Sequence, residues 1–437
     1  MKHVLPSFFY ADFRLKAEFG GAGQITGITT TTFTAASGLT VFAVADLVFA
    51  DGNSKVLGNN GLHRVTVAAA GVLTVAETMV AEVPPAGSTL VKVGKQFAVG
   101  ALAIVVTGPL PVVTGPVGAF TGIIPGEWIY FGDTTDPLFS WAVAASNGWK
   151  RVRAVAVDGS SLTIDKSRLP LTADAGATKT IRLFFGRVVK NEQSALIVRT
   201  SLQFERTLGA PDDASPALLQ SEYVIGAVGN ELSFDYKPAD KLTCDLAFVA
   251  CDVEQRDAAT GVKTGNRPAL PELPAYNTSS SVKRIRLASV SQNNVAPASL
   301  AGEVLSLKLA INNGVKGIDV IGTFGHFELV AGDFKVTADL EVLFLTVAAQ
   351  QAARNNADVT LDIIQVVSSS STTNSAFVAD MPLLTLGDAR AKVTKDEPIS
   401  LPLSGEANSG EQVDAGLDHT LMMCFFDFVP AIASTLT

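Results

Sequence analysis

Apolar and polar positions follow two different patterns along the chain. Up to about residue 180 the apolar runs are short and broken by turns, as in "DLVFADG" at 46–52 and "EWIYFGD" at 127–133. Beyond that point the runs lengthen and alternate strictly. In "ELSFDYK" Leu232, Phe234 and Tyr236 are apolar, whereas Glu231, Ser233, Asp235 and Lys237 are not. "KLTCDLAFV" continues with Leu242, Cys244, Leu246 and Phe248 inward, "EVLSLKLAI" with Leu305, Leu307 and Leu309, and "GDFKVTADLEVLF" with six apolar positions from Phe334 to Phe344. A period of two with one polar face predicts strands half-buried in a sandwich. "VTLDIIQVV", "EPISLPLSGEA" and "HTLMMCFFDFV" add further strands. Only "TVAAQQAARNN", rich in alanine and glutamine and closed by Asn355-Asn356, predicts a helix. The fold class is therefore all-β, a twisted sandwich with one flanking helix.

The N-terminal pattern occurs twice. "NNGLHRVTVAAAGVLTV" at 59–75 and "SNGWKRVRAVAVDGSSLTI" at 146–164 align on Asn60-Gly61 and Asn147-Gly148, and Leu73-Thr74-Val75 matches Leu162-Thr163-Ile164. Each copy combines a bulky strand, a loop, an Asn-Gly turn suited to positive φ, an alternating strand and a further short strand. That predicts two tandem small β-barrel or β-roll modules, 21–98 and 99–180, the second beginning with a Pro/Gly linker. Two copies are too few for a solenoid. Residues 1–20 are assigned to the N-terminal segment of the sandwich domain and 181–437 to its body, with a long proline-bearing arm at about 252–298. A module with its own core is expected to be removable without unfolding its host.

Length and composition agree with several folded domains. The chain has 437 residues, 47% apolar and 17% charged. A formal charge of −9 opposes tight nucleic-acid binding, which needs a lysine- and arginine-rich face. Three cysteines make no disulfide framework. Pro6 and the charges at Asp12, Arg14 and Lys16 argue against a signal peptide, and Pro109, Pro111 and Pro116 break the uncharged stretch 96–126 well short of a membrane span. The histidines His3, His63, His326 and His419 are scattered, and no triad context, phosphate loop or zinc spacing is present in the sequence. No catalytic residue, cofactor or metal is assigned.

The segments "SLQFERTLG", "YVIGAVGNELSFDYKPADKLTCDLAFVACD" and "LSLKLAINNGVKGIDVIGTFGHFELVAGDFKVTADLEVLF" resemble the tail tube (major tail) proteins of long-tailed bacteriophages. The "NNG…RV" and "PGEWIYFG…NGWKRVRAV" stretches are similar to inserts carried by some larger members. The resemblance implies a structural virion protein, made in the host cytoplasm. It implies a homohexameric ring whose sheets join edge to edge, stacked into a hollow tube that meets other tail proteins at its ends and carries viral DNA through without tight binding. An acidic or neutral polar wall suits such a conduit, and Asp235, Asp245, Asp339 and Glu341 are the candidate lumen residues; the alternative for each is a solvated outer face. The paired modules would then be outward decorations, which points to a non-contractile tail. The rival reading is a surface-binding or capsid-decoration protein, with a carbohydrate-binding module third. Trp128, Trp141 and Trp149 are its candidate ligand contacts.

Overall fold

The computed structural model describes residues 3–133, 137–208, 220–256, 263–264, 275–290, 293–295, 299–300, 303–345, 347–367, 374–387, 389–393, 395–396 and 398–430. They form an all-β protein in three stacked sheet layers.

The outermost layer is the duplicated one. A short β1 (Glu18–Gly20) pairs along its edge; the first half then holds β2 (Ile25–Ile28), β3 (Thr32–Ala35), β4 (Asp46–Asp51), β5 (Gly61–Ala68), β6 (Val72–Val75) and β7 (Thr89–Phe97). The second half holds β8 (Ala103–Val105), β9 (Val112–Thr114), β10 (Trp128–Phe131), β11 (Gly148–Val155), β12 (Ser161–Ser167) and β13 (Ile181–Phe184). The order β2-β3-β6-β5-β4-β7-β13-β10-β11-β12-β9-β8 reads the same from either end once each strand is matched to its repeat. Registers match too: Ala50 faces Gly61 and Leu47 faces Arg64 in one half, Phe131 faces Gly148 and Trp128 faces Arg151 in the other. Each half has its own core, around Phe33, Val65 and Leu73 in the first and Phe120, Phe131 and Val152 in the second.

The duplicated Asn-Gly pair has a second use beyond the positive φ of Gly61 and Gly148. Asn60 accepts the backbone N–H of Asn53 at 2.9 Å and donates to its carbonyl at 3.1 Å; Asn147 does the same to Trp141, at 2.8 and 3.1 Å. The asparagine thus replaces a β-ladder partner and closes the long loop between the paired strands. Asn147→Ala should cost about 1–3 kcal/mol, because it leaves a part-buried N–H and C=O unpaired; thermal or urea unfolding measures it.

Two expectations change here. The halves are not separate barrels, because β7 pairs with β13 from Phe97↔Ile181 to Gly94↔Phe184, across the break drawn between 98 and 99. The start of the sandwich body also moves past residue 181, since β13 belongs to this sheet. The chain crosses to the next layer at Gly186, where a Cβ would stand 2.3 Å from the Phe425 carbonyl oxygen.

The remaining strands are β14 (Arg187–Lys190), β15 (Leu202–Thr207), β16 (Ser221–Tyr236), β17 (Thr243–Val249), β18 (Asp252–Arg256), β19 (Val282–Ser289), β20 (Val304–Asn312), a hairpin of β21 (Lys316–Ile318) and β22 (Glu328–Val330), β23 (Lys335–Leu343), β24 (Asp358–Val366), β25 (Ala376–Leu386), β26 (Ser400–Asn408) and β27 (Met422–Phe426). One layer runs β17-β16-β20-β23-β26 and the other β19-β24-β25-β27-β14. They join at a corner where Leu383–Leu386 of β25 pair with 405–408 of β26. The core between them gathers Phe234, Leu309, Val336, Leu361, Phe377 and Met423. Helix α1 (Leu5–Phe9) is set into this core with Leu5, Phe8 and Phe9 fully buried, while α2 (Val56–Asn59) lies in the long β4–β5 loop. The helix expected from the alanine-rich segment is α3 (Ala348–Arg354), which packs Ala349, Ala352 and Ala353 inward; α1 was not foreseen. The supposed arm is shorter than drawn, for its ends are β18, paired with β16, and β19, paired with β24. Most of the stretch between, with all its prolines, lies outside the described residues.

The β19-β24-β25-β27-β14 layer is the middle one, buried on both faces. Leu361, Ile363, Ala379 and Met423 face the sandwich core. Their neighbours Ile364, Val366, Val378, Met422, Cys424 and Phe426 face the duplicated sheet and pack against its Leu47, Phe49, Trp128, Tyr130, Trp149 and Phe184.

Candidate functional site

The β17-β16-β20-β23-β26 layer has one face that no other described layer covers, and that face is polar. Its inward positions, such as Leu232, Leu309, Val336 and Leu340, are buried. Alternation therefore turns every intervening side chain outward. Register sets those side chains in rows across the strands. Asp235 stands opposite Lys308, Lys308 opposite Asp339, and Asp339 opposite Ser404. A neighbouring row runs Asp245, Ser233, Ala310, Thr337 and Glu406, and another runs Glu231, Asn312 and Lys335. The four carboxylates singled out from the sequence thus share one face of one sheet. Asp245 and Asp339 are exposed. Asp235 pairs with Lys237 at 2.8 Å, which raises that lysine's pKa, and Glu341 accepts the Ser400 hydroxyl at 2.8 Å. Between the rows lies a shallow groove lined by Glu231, Asp245, Lys308 and Lys335. Beyond the sheet's end, the β21–β22 hairpin leaves Ile321, Phe324 and Phe327 exposed.

The tryptophans are placed differently from the expectation. All three are buried, Trp128 and Trp149 between the outer and middle layers and Trp141 in the core of the second half. None of the three indole rings is left as a platform for a ligand. Trp149 meets Phe426 edge-on at 4.9 Å, and Trp128 lies beside the cations of Arg284 and Lys166, at 5.2 and 6.0 Å. Large rings sit here because the interface of two sheets needs volume.

Beside Trp128 lies a charged cluster that sequence reasoning missed. Arg151 grips Asp165 through two nitrogens at 2.9 and 2.6 Å and reaches Asp380 at 2.9 Å. Lys166 contacts Asp380 at 3.2 Å, Asp362 at 3.6 Å and the Thr360 hydroxyl, and Arg284 binds Asp362 at 2.6 Å. Arg151, Lys166, Asp165, Asp362 and Asp380 are all buried. Burial alone would raise the Asp380 pKa, but Arg151 and Lys166 outweigh it and hold the carboxyl at about 2. Burial and Arg151 push Lys166 down while Asp380, Asp362 and Asp165 pull it up. The ammonium form fits better, because three carboxylates surround it. Arg151 and Lys166 come from the outer layer and Asp362 and Asp380 from the middle one, so these ion pairs clamp two sheets together. The available signal was a lone Asp inside each of two apolar runs, "VTLDIIQVV" and "AFVADMPLL".

The histidines do not converge. His326 bonds Asp319 at 2.7 Å; His63 is buried with its pKa lowered, and burial takes His419 down to about 3, so that both stay neutral at pH 7. Among the described residues there is no group of three or more potential metal ligands, and no helix is long and apolar enough to cross a membrane.

The family model described as phage tail tube protein matches residues 100–407. The chain belongs to the phage tail tube protein family. The match begins between the two halves of the outer sheet and runs to the end of β26, so it takes in the second module together with most of the sandwich. No curated protein matches the chain. Membership makes it a structural component of the phage tail.

Proposed function

We propose that this tail tube protein assembles as stacked rings, six subunits to a ring, into the hollow tube of a non-contractile tail through which DNA leaves the capsid. The observation that carries the reading is the order of the three layers. The middle layer is covered on both sides, which leaves the β17-β16-β20-β23-β26 face as the polar wall that can border a water-filled channel. In that arrangement Asp235, Asp245, Asp339 and Glu341 line the lumen and the duplicated sheet forms the outside of the tube. Bulk at that radius leaves no room for a contractile sheath. The exposed apolar tip of the β21–β22 hairpin suits contact with the next ring, since exposed clusters of large apolar side chains mark interaction surfaces.

Site-directed gold labelling tests both assembly and radial order. In a background with Cys244 and Cys251 replaced by alanine, Asp339→Cys should place label in the bore of tubes seen by electron microscopy. Val157→Cys, at a fully exposed site in the β11–β12 loop of the outer sheet, should place it on the outer surface. Monodisperse monomers across concentration and salt would refute assembly, and label from residue 339 on the outside would refute the radial order.

A further inference from the structure

The polar face is not uniformly acidic. Lys308 is exposed at its centre, and Lys237 and Lys335 are exposed on the same face. An exposed lysine on a channel wall would hold each passing phosphate. Yet Lys308 does not stand alone: the register puts Asp235 directly opposite it on one neighbouring strand and Asp339 directly opposite on the other. Directly opposed residues have Cβ atoms about 4.5–5.5 Å apart, inside the Debye length of roughly 8 Å at physiological salt. A phosphate close enough to pair with Lys308 is therefore repelled by two carboxylates at almost the same range. Asp235 also pairs with Lys237, so one residue serves two lysines.

We infer that Asp235 and Asp339 mask Lys308, and that this local masking, more than the overall acidity of the face, keeps the wall from binding DNA. The inference rests on the proposal that this face meets DNA. It differs from a general field effect in a way that can be measured, because the face carries other carboxylates that stand opposite no lysine. Glu231 faces Asn312, and Glu406 faces Thr337 and Thr385.

The test compares two variants of equal charge, Asp235→Asn/Asp339→Asn and Glu231→Gln/Glu406→Gln. Binding of a labelled 30-base-pair duplex to the unassembled full chain is followed by fluorescence anisotropy at low salt. Masking predicts that the first variant binds at least about fivefold more tightly than the second, that added Lys308→Gln abolishes the gain, and that salt weakens it. Equal affinities for the two variants, or a gain that survives Lys308→Gln, would overturn the inference. A merely structural part for the two aspartates would change melting temperature without this difference in affinity. Assembled tubes form the second arm. If the first variant binds the duplex as a free chain but its tubes retain none protected from nuclease, masking stands and the assignment of this face to the lumen fails.

Discussion

Removing most of the duplicated sheet, residues 25–178, should yield insoluble protein and no tubes, the opposite of what independent decorations would allow. The deletion strips one face of the middle layer and exposes Ile364, Val366, Ala376, Val378, Met422, Cys424 and Phe426 together. At about 1.5–3 kcal/mol for each large side chain taken out of water, the loss is on the order of 10 kcal/mol. That equals the whole stability of an ordinary domain. It also leaves an apolar sheet face open to association. Soluble fraction on expression and near-ultraviolet circular dichroism of any soluble product measure the outcome. A control that replaces Ile364, Val378 and Phe426 with threonine in the deleted chain should recover part of the solubility. Thin-walled tubes from the simple deletion would show that the outer layer is dispensable.

Breaking the buried ion cluster is the second large effect. Asp380→Ala leaves Arg151 and Lys166 buried with one anion fewer, and loss of one partner from a buried pair costs about 3–5 kcal/mol. Replacement of Arg151, Asp165 and Asp380 together by apolar residues of similar volume should cost less, because no charge is then stranded. Acid sensitivity carries a defined sign. The Asp380 carboxyl is held at about 2 in the folded protein, below the roughly 3.9 of an unfolded aspartate. Its contribution, on the order of 2 kcal/mol, is thus complete above about pH 4 and is lost as pH falls toward 2. Urea midpoints between pH 7 and pH 2 should drop more steeply below pH 4 in the wild type than in an Asp380→Asn variant. Equal slopes would mean that Asp380 is not ionised in the folded state.

Much of the polar layer was legible in the sequence. One of its faces meets water, and that leaves the alternation of β16, β20 and β23 visible residue by residue, from Leu232 to Asp235 and from Val336 to Glu341. The repeat was legible for a similar reason: the positive φ of Gly61 and Gly148 and the backbone clips of Asn60 and Asn147 are local demands that few residues meet. Less visible were Glu82 and Asp174, which accept backbone N–H groups of the β4–β5 and β10–β11 loops at Lys55 and Ala142. Their bonds span 27 and 32 residues and follow no period.

What the sequence alone determined is therefore the local chemistry: strand or helix, the faces of half-exposed strands, the turns, and the duplication. Which face meets which partner was decided by tertiary structure. A strand buried on both sides shows a near-continuous apolar run whether its second face meets a helix, another sheet or a second chain. The runs in β24, β25 and β27 could not name the duplicated sheet as their cover, and the tryptophans of that sheet looked as suited to a ligand as to a core. Arg151 and Asp380, 229 residues apart, meet only because two layers stack. Their pairing depends on the desolvation that the stacking creates, and no spacing in the chain records it.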